Sequence, residues 1–283
     1  MISGTVTLKN GAWQADILPA KGANPVKLTC NGKNVFRPLE DIEALKSNPF
    51  LWGSPILIPA NRTDGAKFNF DGTEYTIPLN EPKLGNNLHG MMYDLEFKTE
   101  LLSESSARSV YENKGEAYPF PFRITVDVAV SEEGFSRRFE ITNTGSGDMP
   151  LTFALHTTFA IEKGELLQVP LARAHRRNER LIPLYYGDLN EKEEKVAAGT
   201  DPYGMPIVGY FLSGGHKAVI GDFEYSVSEN FDHWIVYNGD GVSGWVCVEP
   251  QAGRVNGLND GGFIRLAPGE SSVFTTCVSR RNG

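Results

Sequence analysis

Apolar and polar positions alternate most cleanly in the middle of the chain. Phe122, Ile124, Val126, Val128 and Val130 are apolar, and Arg123, Thr125 and Asp127 between them are polar. After Ser131-Glu132-Glu133-Gly134 the chain returns through Phe135, Phe139 and Ile141. A period of two on both arms predicts a half-buried antiparallel pair. Shorter runs of the same kind recur, broken by turn-forming residues. Residues 26–30 and 35–36 flank Asn31-Gly32, and residues 68–70 and 74–77 flank Asp71-Gly72, both hairpin signatures. Residues 217–220, 225–227 and 234–237 read as later strands, with Asn238-Gly239-Asp240-Gly241 turning the chain back. Residues 263–266 and 273–278 close the pattern and are expected to lie against the N-terminal strands. Residues 41–46 give a turn of helix. Residues 162–210 are less regular: the charged clusters at 175–180 and 191–195 read as solvated loop or short helix, with an anion pocket as the alternative. The expectation is an all-β chain, residues 1–283 forming a single antiparallel sandwich with few short helices.

Within this pattern two strands carry titratable groups away from the core. In Trp245-Val246-Cys247-Val248-Glu249-Pro250-Gln251 the valines share one face, and Trp245, Cys247 and Glu249 share the other. The proline is expected to stop the ladder, leaving Glu249 at a strand end beside an indole and a thiol, where its proton affinity would rise. In residues 151–156 Leu151, Phe153 and Leu155 face the core, while Thr152, Ala154 and His156 face the other way. Two loops add polar groups. Pro55 and Pro59 bracket three apolar residues in an edge strand or extended loop that delivers Asn61 and Arg62. Asn86-Asn87-Leu88-His89-Gly90 places a histidine among turn formers. Each of these alone is also ordinary: strand-end glutamates reach water, and strand histidines find a hydrogen-bonding neighbour.

Composition narrows the partners. Hydrophobic residues make up 40% and charged residues 22%, enough for a sizeable core. The net charge of −8 disfavours a nucleic-acid backbone or an anionic membrane surface, so neither partner is expected. The residues from Met1 to Lys9 lack a secretion-signal pattern, and no stretch approaches a membrane-spanning length. Three widely spaced cysteines, Cys30, Cys247 and Cys277, match neither a disulfide framework nor paired metal-ligand spacing. A cytoplasmic chain with reduced thiols follows.

Four motifs in order carry a resemblance: Pro59-Ala60-Asn61-Arg62 with Gly65 and Phe68, Leu88-His89-Gly90, Leu155-His156 with Phe159, and Val248-Glu249-Pro250-Gln251. With the closing Leu266-Ala267-Pro268-Gly269-Glu270 they resemble the aldose 1-epimerase (galactose mutarotase-like) family over nearly the whole chain. The resemblance implies a β-supersandwich with a sugar lying across one sheet. It implies Glu249 as catalytic base, His156 as catalytic acid, and Arg62, His89 and Asn61 as substrate-binding residues. An aldose changes anomer by ring opening, which removes a proton from the C1 hydroxyl and adds one to the ring oxygen. A carboxylate and an imidazolium on opposite sides of one sugar-sized hollow do this without redox change, so no cofactor and no metal are expected, and each proton transfer is worth roughly 10²–10⁴-fold. Glycoside hydrolysis ordinarily uses two carboxylates instead. Trp52, Phe159 and Trp245 are candidates to stack on the ring, against ordinary packing. A small sugar is the implied partner, and the chain is expected as a monomer or weak homodimer.

Two departures from the family pattern bear on the substrate. The aspartate that many members carry between the histidine and glutamate motifs has no counterpart in residues 207–212, and Thr157 and Thr158 follow the histidine in place of the usual proline or tyrosine. A non-catalytic sugar-binding or sensing protein and a hexose-6-phosphate 1-epimerase therefore stand as alternatives.

Overall fold

The computed structural model describes residues 4–281. The reading of Met1 to Ser3 lies outside the described residues. Two eight-stranded sheets dominate, and strand pairing within them is antiparallel. The first runs in the order Lys98–Ser103, Ser106–Asn113, Phe122–Val130, Gly134–Asn143, Ser271–Arg280, Phe223–Val227, Lys217–Ile220 and Leu167–Gln168. The second runs Pro183–Gly187, Leu171–Arg177, Val208–Ser213, His233–Tyr237, Trp245–Ala252, Phe153–Leu155 and Ile56–Leu57, with Thr158–Ala160 also pairing to Trp245–Ala252. The α-helices among the described residues are short: Ala44–Ser47, Glu191–Ala198 and Gly257–Asp260. The all-β antiparallel expectation holds. No helix among the described residues is long and apolar enough to cross a membrane.

The period-two pattern positions the core as anticipated. Ile124 pairs with Ile141 and Val126 with Phe139, all buried. Their sheet meets the second through aromatic side chains: Phe153 lies 5.3 Å from Phe139 and 4.6 Å from Phe274, centroid to centroid. Val246 and Val248 join this same core, together with Leu151, Phe153 and Leu155. Ala154, on the opposite face, packs with Leu57 and Ala60 instead. Both predicted hairpins form, the first returning through Lys33–Asn34 and not through residues 35–36, and the second with Asp71 and Gly72 at φ 49° and 81° in the left-handed backbone that such a two-residue turn requires.

Three expectations change. The strand Ser271–Arg280 pairs with Gly134–Asn143 and Phe223–Val227, not with the N-terminal strands. Those strands, Val6–Asn10, Trp13–Leu18, Asn24–Cys30 and Lys33–Asn34, satisfy one another locally as a separate four-stranded sheet. The cluster at 175–180 is not simply solvated surface: His175, Arg176 and Arg177 end the strand Leu171–Arg177, and His175 is buried against Tyr186. Glu249 is not at a strand end, because Trp245–Ala252 continues through Pro250, which pairs with Trp234. The reason lies on the other edge. Val248 N–H donates to Thr157 O, and the amide position two residues on faces the same edge. There the partner strand is interrupted between Phe153–Leu155 and Thr158–Ala160, so the missing proline N–H breaks no ladder bond.

Candidate active site

The interruption that accommodates Pro250 also presents His156. Its own N–H donates to Pro55 O at 3.0 Å, so the bend is held by the neighbouring edge segment. His156 and Glu249 meet across this gap, with Nε2 to Oε1 at 3.3 Å and both side chains almost fully buried. The sequence led us to expect them on opposite sides of a sugar-sized hollow; they are in direct contact. That arrangement still suits two oxygens bonded to one carbon, as the C1 hydroxyl and the ring oxygen of an aldose are.

Around this pair the loops converge. Arg62 pairs with Leu88, and one residue further His89 N–H donates to Asn61 O at 2.8 Å. Asn61 (φ 54°) and His89 (φ 66°) both occupy the left-handed region, uncommon for residues with a side chain and frequent where a site imposes its geometry. Thr152 Oγ1 accepts from Ala60 N–H at 3.0 Å, tying this loop to the segment that leads to His156. The His89 and His156 rings stand edge to face at 5.2 Å, and Phe50 covers both, at 4.5 and 5.8 Å. The result is a cleft of about 350 Å³ lined by Phe50, Asn61, Arg62, His89, His156 and Glu249, with Arg177, Val208, Tyr210, Ile235 and Tyr237 along the sheet. All five site residues expected from the sequence are brought together here.

The electrostatics differ from a free imidazolium facing a free carboxylate. Burial pushes the Glu249 carboxyl well above the usual carboxylate range, the Arg62 charge opposing. Burial pushes His156 down to about 3. His89 is held well below its ordinary value by burial and by the neighbouring His156 and Arg62. Burial thus favours the neutral form of both groups, the protonated carboxyl and the unprotonated imidazole.

Arg62 does less free gripping than expected. Nε and Nη2 donate to the two Glu81 oxygens at 2.9 and 2.7 Å, and Nη1 donates to Tyr210 Oη at 2.6 Å. Glu81 and Tyr210 had no signal in the sequence: Glu81 follows Asn80 in a loop, and Tyr210 lies in the stretch where no aspartate could be matched. Of the three stacking candidates none lines the cleft. Phe159 is fully buried between Phe36 and Tyr225, and Trp52 lies under the Arg37 guanidinium at 3.8 Å. Tyr210 and Tyr237 are the tyrosines at the cleft instead. His156, Cys247 and Glu249 also bring three donor atoms within 4.8 Å of one another. Burial raises the Cys247 thiol well above its ordinary value, so the set would take a soft divalent ion only on losing that proton.

The fold and cleft define an antiparallel β-sandwich protein with a buried carboxyl–imidazole pair beside a fork of arginine. The aldose 1-epimerase family model matches residues 4–279, and the chain belongs to that family. A curated relative from Escherichia coli K12, the uncharacterized protein YihR, is 26% identical over 211 residues, covering 69% of this chain and 66% of its own length. Among solved structures, a galactose mutarotase-like protein from Clostridium acetobutylicum superposes with a TM-score of 0.88 at 21% identity, covering 99% of this chain and 95% of its own. A galactose 1-epimerase from Lactobacillus acidophilus gives 0.81 at 18% identity, covering 99% and 94%. These likenesses confirm the galactose mutarotase-like supersandwich.

Proposed function

We propose that this protein is an aldose 1-epimerase in which Glu249 and His156 carry one proton between them across the C1 hydroxyl and ring oxygen. The observation that carries the reading is their 3.3 Å contact inside a cleft that also presents Arg62, His89 and Asn61. Ring opening needs one group to accept the hydroxyl proton while the other donates to the ring oxygen, and a pair holding a single proton supplies both at once. With Glu249 as base, sugar hydroxyls donating to its carboxylate draw the proton onto His156, which then acts as acid. Rotation about C1–C2 and the reverse transfers close the ring on either face and restore the starting proton. His89, kept neutral, and Asn61 offer hydrogen bonds to the sugar without competing for that proton. Glu81 and Tyr210 fix the Arg62 plane so that its remaining N–H groups meet the substrate preoriented.

Polarimetry or NMR exchange on freshly dissolved α-anomers, across a panel of aldoses, tests this. The expected result is acceleration that Glu249→Gln and His156→Asn each abolish. Sugar binding with no acceleration by the wild type would leave a sensing protein on the same scaffold.

A further inference from the structure

Four arginines lie on or just beyond the strand Leu171–Arg177, and their surroundings differ sharply. Arg173 donates to Tyr186 O at 2.7 Å. Arg176 makes a two-toothed pair with Glu193, at 2.7 and 2.9 Å. Arg180 pairs with Asp64 at 2.6 Å and donates to the Leu84 and Gly85 carbonyls. Arg177 has no carboxylate among the described residues. Its Nη2 reaches Val208 O only at 3.4 Å, and its Nη1 is buried without a hydrogen-bond partner. Its guanidinium stands 5.0 Å from the Tyr210 ring centroid, and it lines the cleft.

The charge balance of the cleft points the same way. Its lining holds two guanidiniums, Arg62 and Arg177, and one acid, Glu249, which lies against His156. Glu81 neutralises Arg62. The Arg177 charge is left without a carboxylate partner among the described residues, and its buried, unpartnered Nη1 is costly unless an anion meets it.

Its position follows from strand register. Tyr210 lies opposite Ile235, and Ile235 opposite Glu249, so Tyr210 and Glu249 are two strand spacings apart on one face. At ~4.8 Å per spacing that separation is about 10 Å. Arg177 sits over the far end of it. A pyranose with C1 at the Glu249–His156 pair, one exocyclic substituent and a hydrogen bond at each end spans such a distance.

We infer that the aldose this cleft accepts carries an anionic group at the end remote from C1, a phosphate, sulfate or carboxylate, and that Arg177 binds it. This rests on the epimerase reading and names the substrate class for the same site. A guanidinium offers paired donors to any of these oxyanions, and Tyr210, bridging Arg62 and Arg177, holds the two cations in fixed relation.

Anomer exchange measured by NMR on glucose, glucose 6-phosphate, glucose 6-sulfate and glucuronate tests the inference, and the four arms separate the anion types. The wild type is expected to show kcat/KM higher for at least one anionic sugar than for glucose by about 10- to 100-fold, the worth of a charge-assisted hydrogen bond or two. That preference should shrink with added salt. Arg177→Met is expected to bring the anionic-to-neutral ratio near one, and Arg177→Lys to restore part of it, a split that a merely structural role would not give. Should Arg177→Met fail to fold, Arg177→Lys and the salt titration of the wild type decide. Acceleration of glucose with no preference for any anionic sugar, or a preference that survives Arg177→Met, overturns the inference and leaves the epimerase reading standing. No acceleration with any of the four sugars, where the wider aldose panel also shows none, overturns both.

Discussion

Replacing Glu249 by glutamine separates what this side chain does for chemistry from what it does to stability. The carboxyl is 2% exposed, and burial holds its proton affinity well above the ordinary 4.5. As pH rises above 4.5 the unfolded chain releases that proton more readily than the folded chain does, so the native state is disfavoured relative to unfolded. The sign is that of a raised carboxyl: the penalty is absent below 4.5 and grows as pH rises toward the folded value. Between pH 4.5 and 7, at about 1.4 kcal/mol per unit, the penalty is at most about 3 kcal/mol. Contact with His156 at 3.3 Å lets the proton be shared and reduces this, leaving roughly 1–3 kcal/mol. Glutamine is isosteric and titrates nowhere in this range, so Glu249→Gln should be more stable than wild type by that amount at pH 7 and equal to it at pH 4.5. Urea unfolding at the two pH values measures the difference. Mutarotation by the same variant should fall by about 10²–10⁴, because the amide neither takes nor gives the proton. A variant less stable at pH 7, or a difference that ignores pH, would show that Glu249 is held as a carboxylate and refute the shared-proton argument. Activity within about tenfold of wild type would remove Glu249 from the proton transfer altogether.

The remaining expectations concern pH and backbone. Because the pair works with one proton, kcat/KM should stay level from a little above the His156 value of about 3, with the alkaline fall well above the ordinary glutamate range; an alkaline fall centred near 4.5 would contradict it. Outside the cleft, burial and the neighbouring His233 and Arg254 push His175 down to about 4, while the unfolded chain protonates it near 6.5. Its contribution to stability is therefore lost as pH falls from about 6.5 to 4, and His175→Phe, which keeps the stack on Tyr186, should recover about 1–3 kcal/mol of that loss; parallel pH–stability curves would count against it. Gly90 has φ 61° and a Cβ there would overlap the Ile58 carbonyl, so Gly90→Ala should cost several kcal/mol by thermal or urea unfolding and, by shifting His89, lower activity at permissive temperature.

The sequence by itself determined the sheet-forming segments, both hairpins and the face on which each key side chain sits. Alternation decides inside from outside one residue at a time, which is why Val246 and Val248 fall in the core while Glu249 and His156 reach the cleft. The four motifs in order singled out Glu249, His156, Arg62, His89 and Asn61, which the fold gathers into one cleft. What pairs with what was not legible, since an unpaired strand end carries no mark of its partner: Ser271–Arg280 chose the middle of a large sheet over the N-terminal strands. Pro250 looked like a stop because the sequence cannot show that its missing donor faces a gap. Tertiary structure alone set the contact of Glu249 with His156, the clamp of Glu81 and Tyr210 on Arg62, and the isolation of Arg177. Each of these is a meeting of residues far apart in the chain, and proton affinity and unpaired charge are properties of such meetings, not of a residue type.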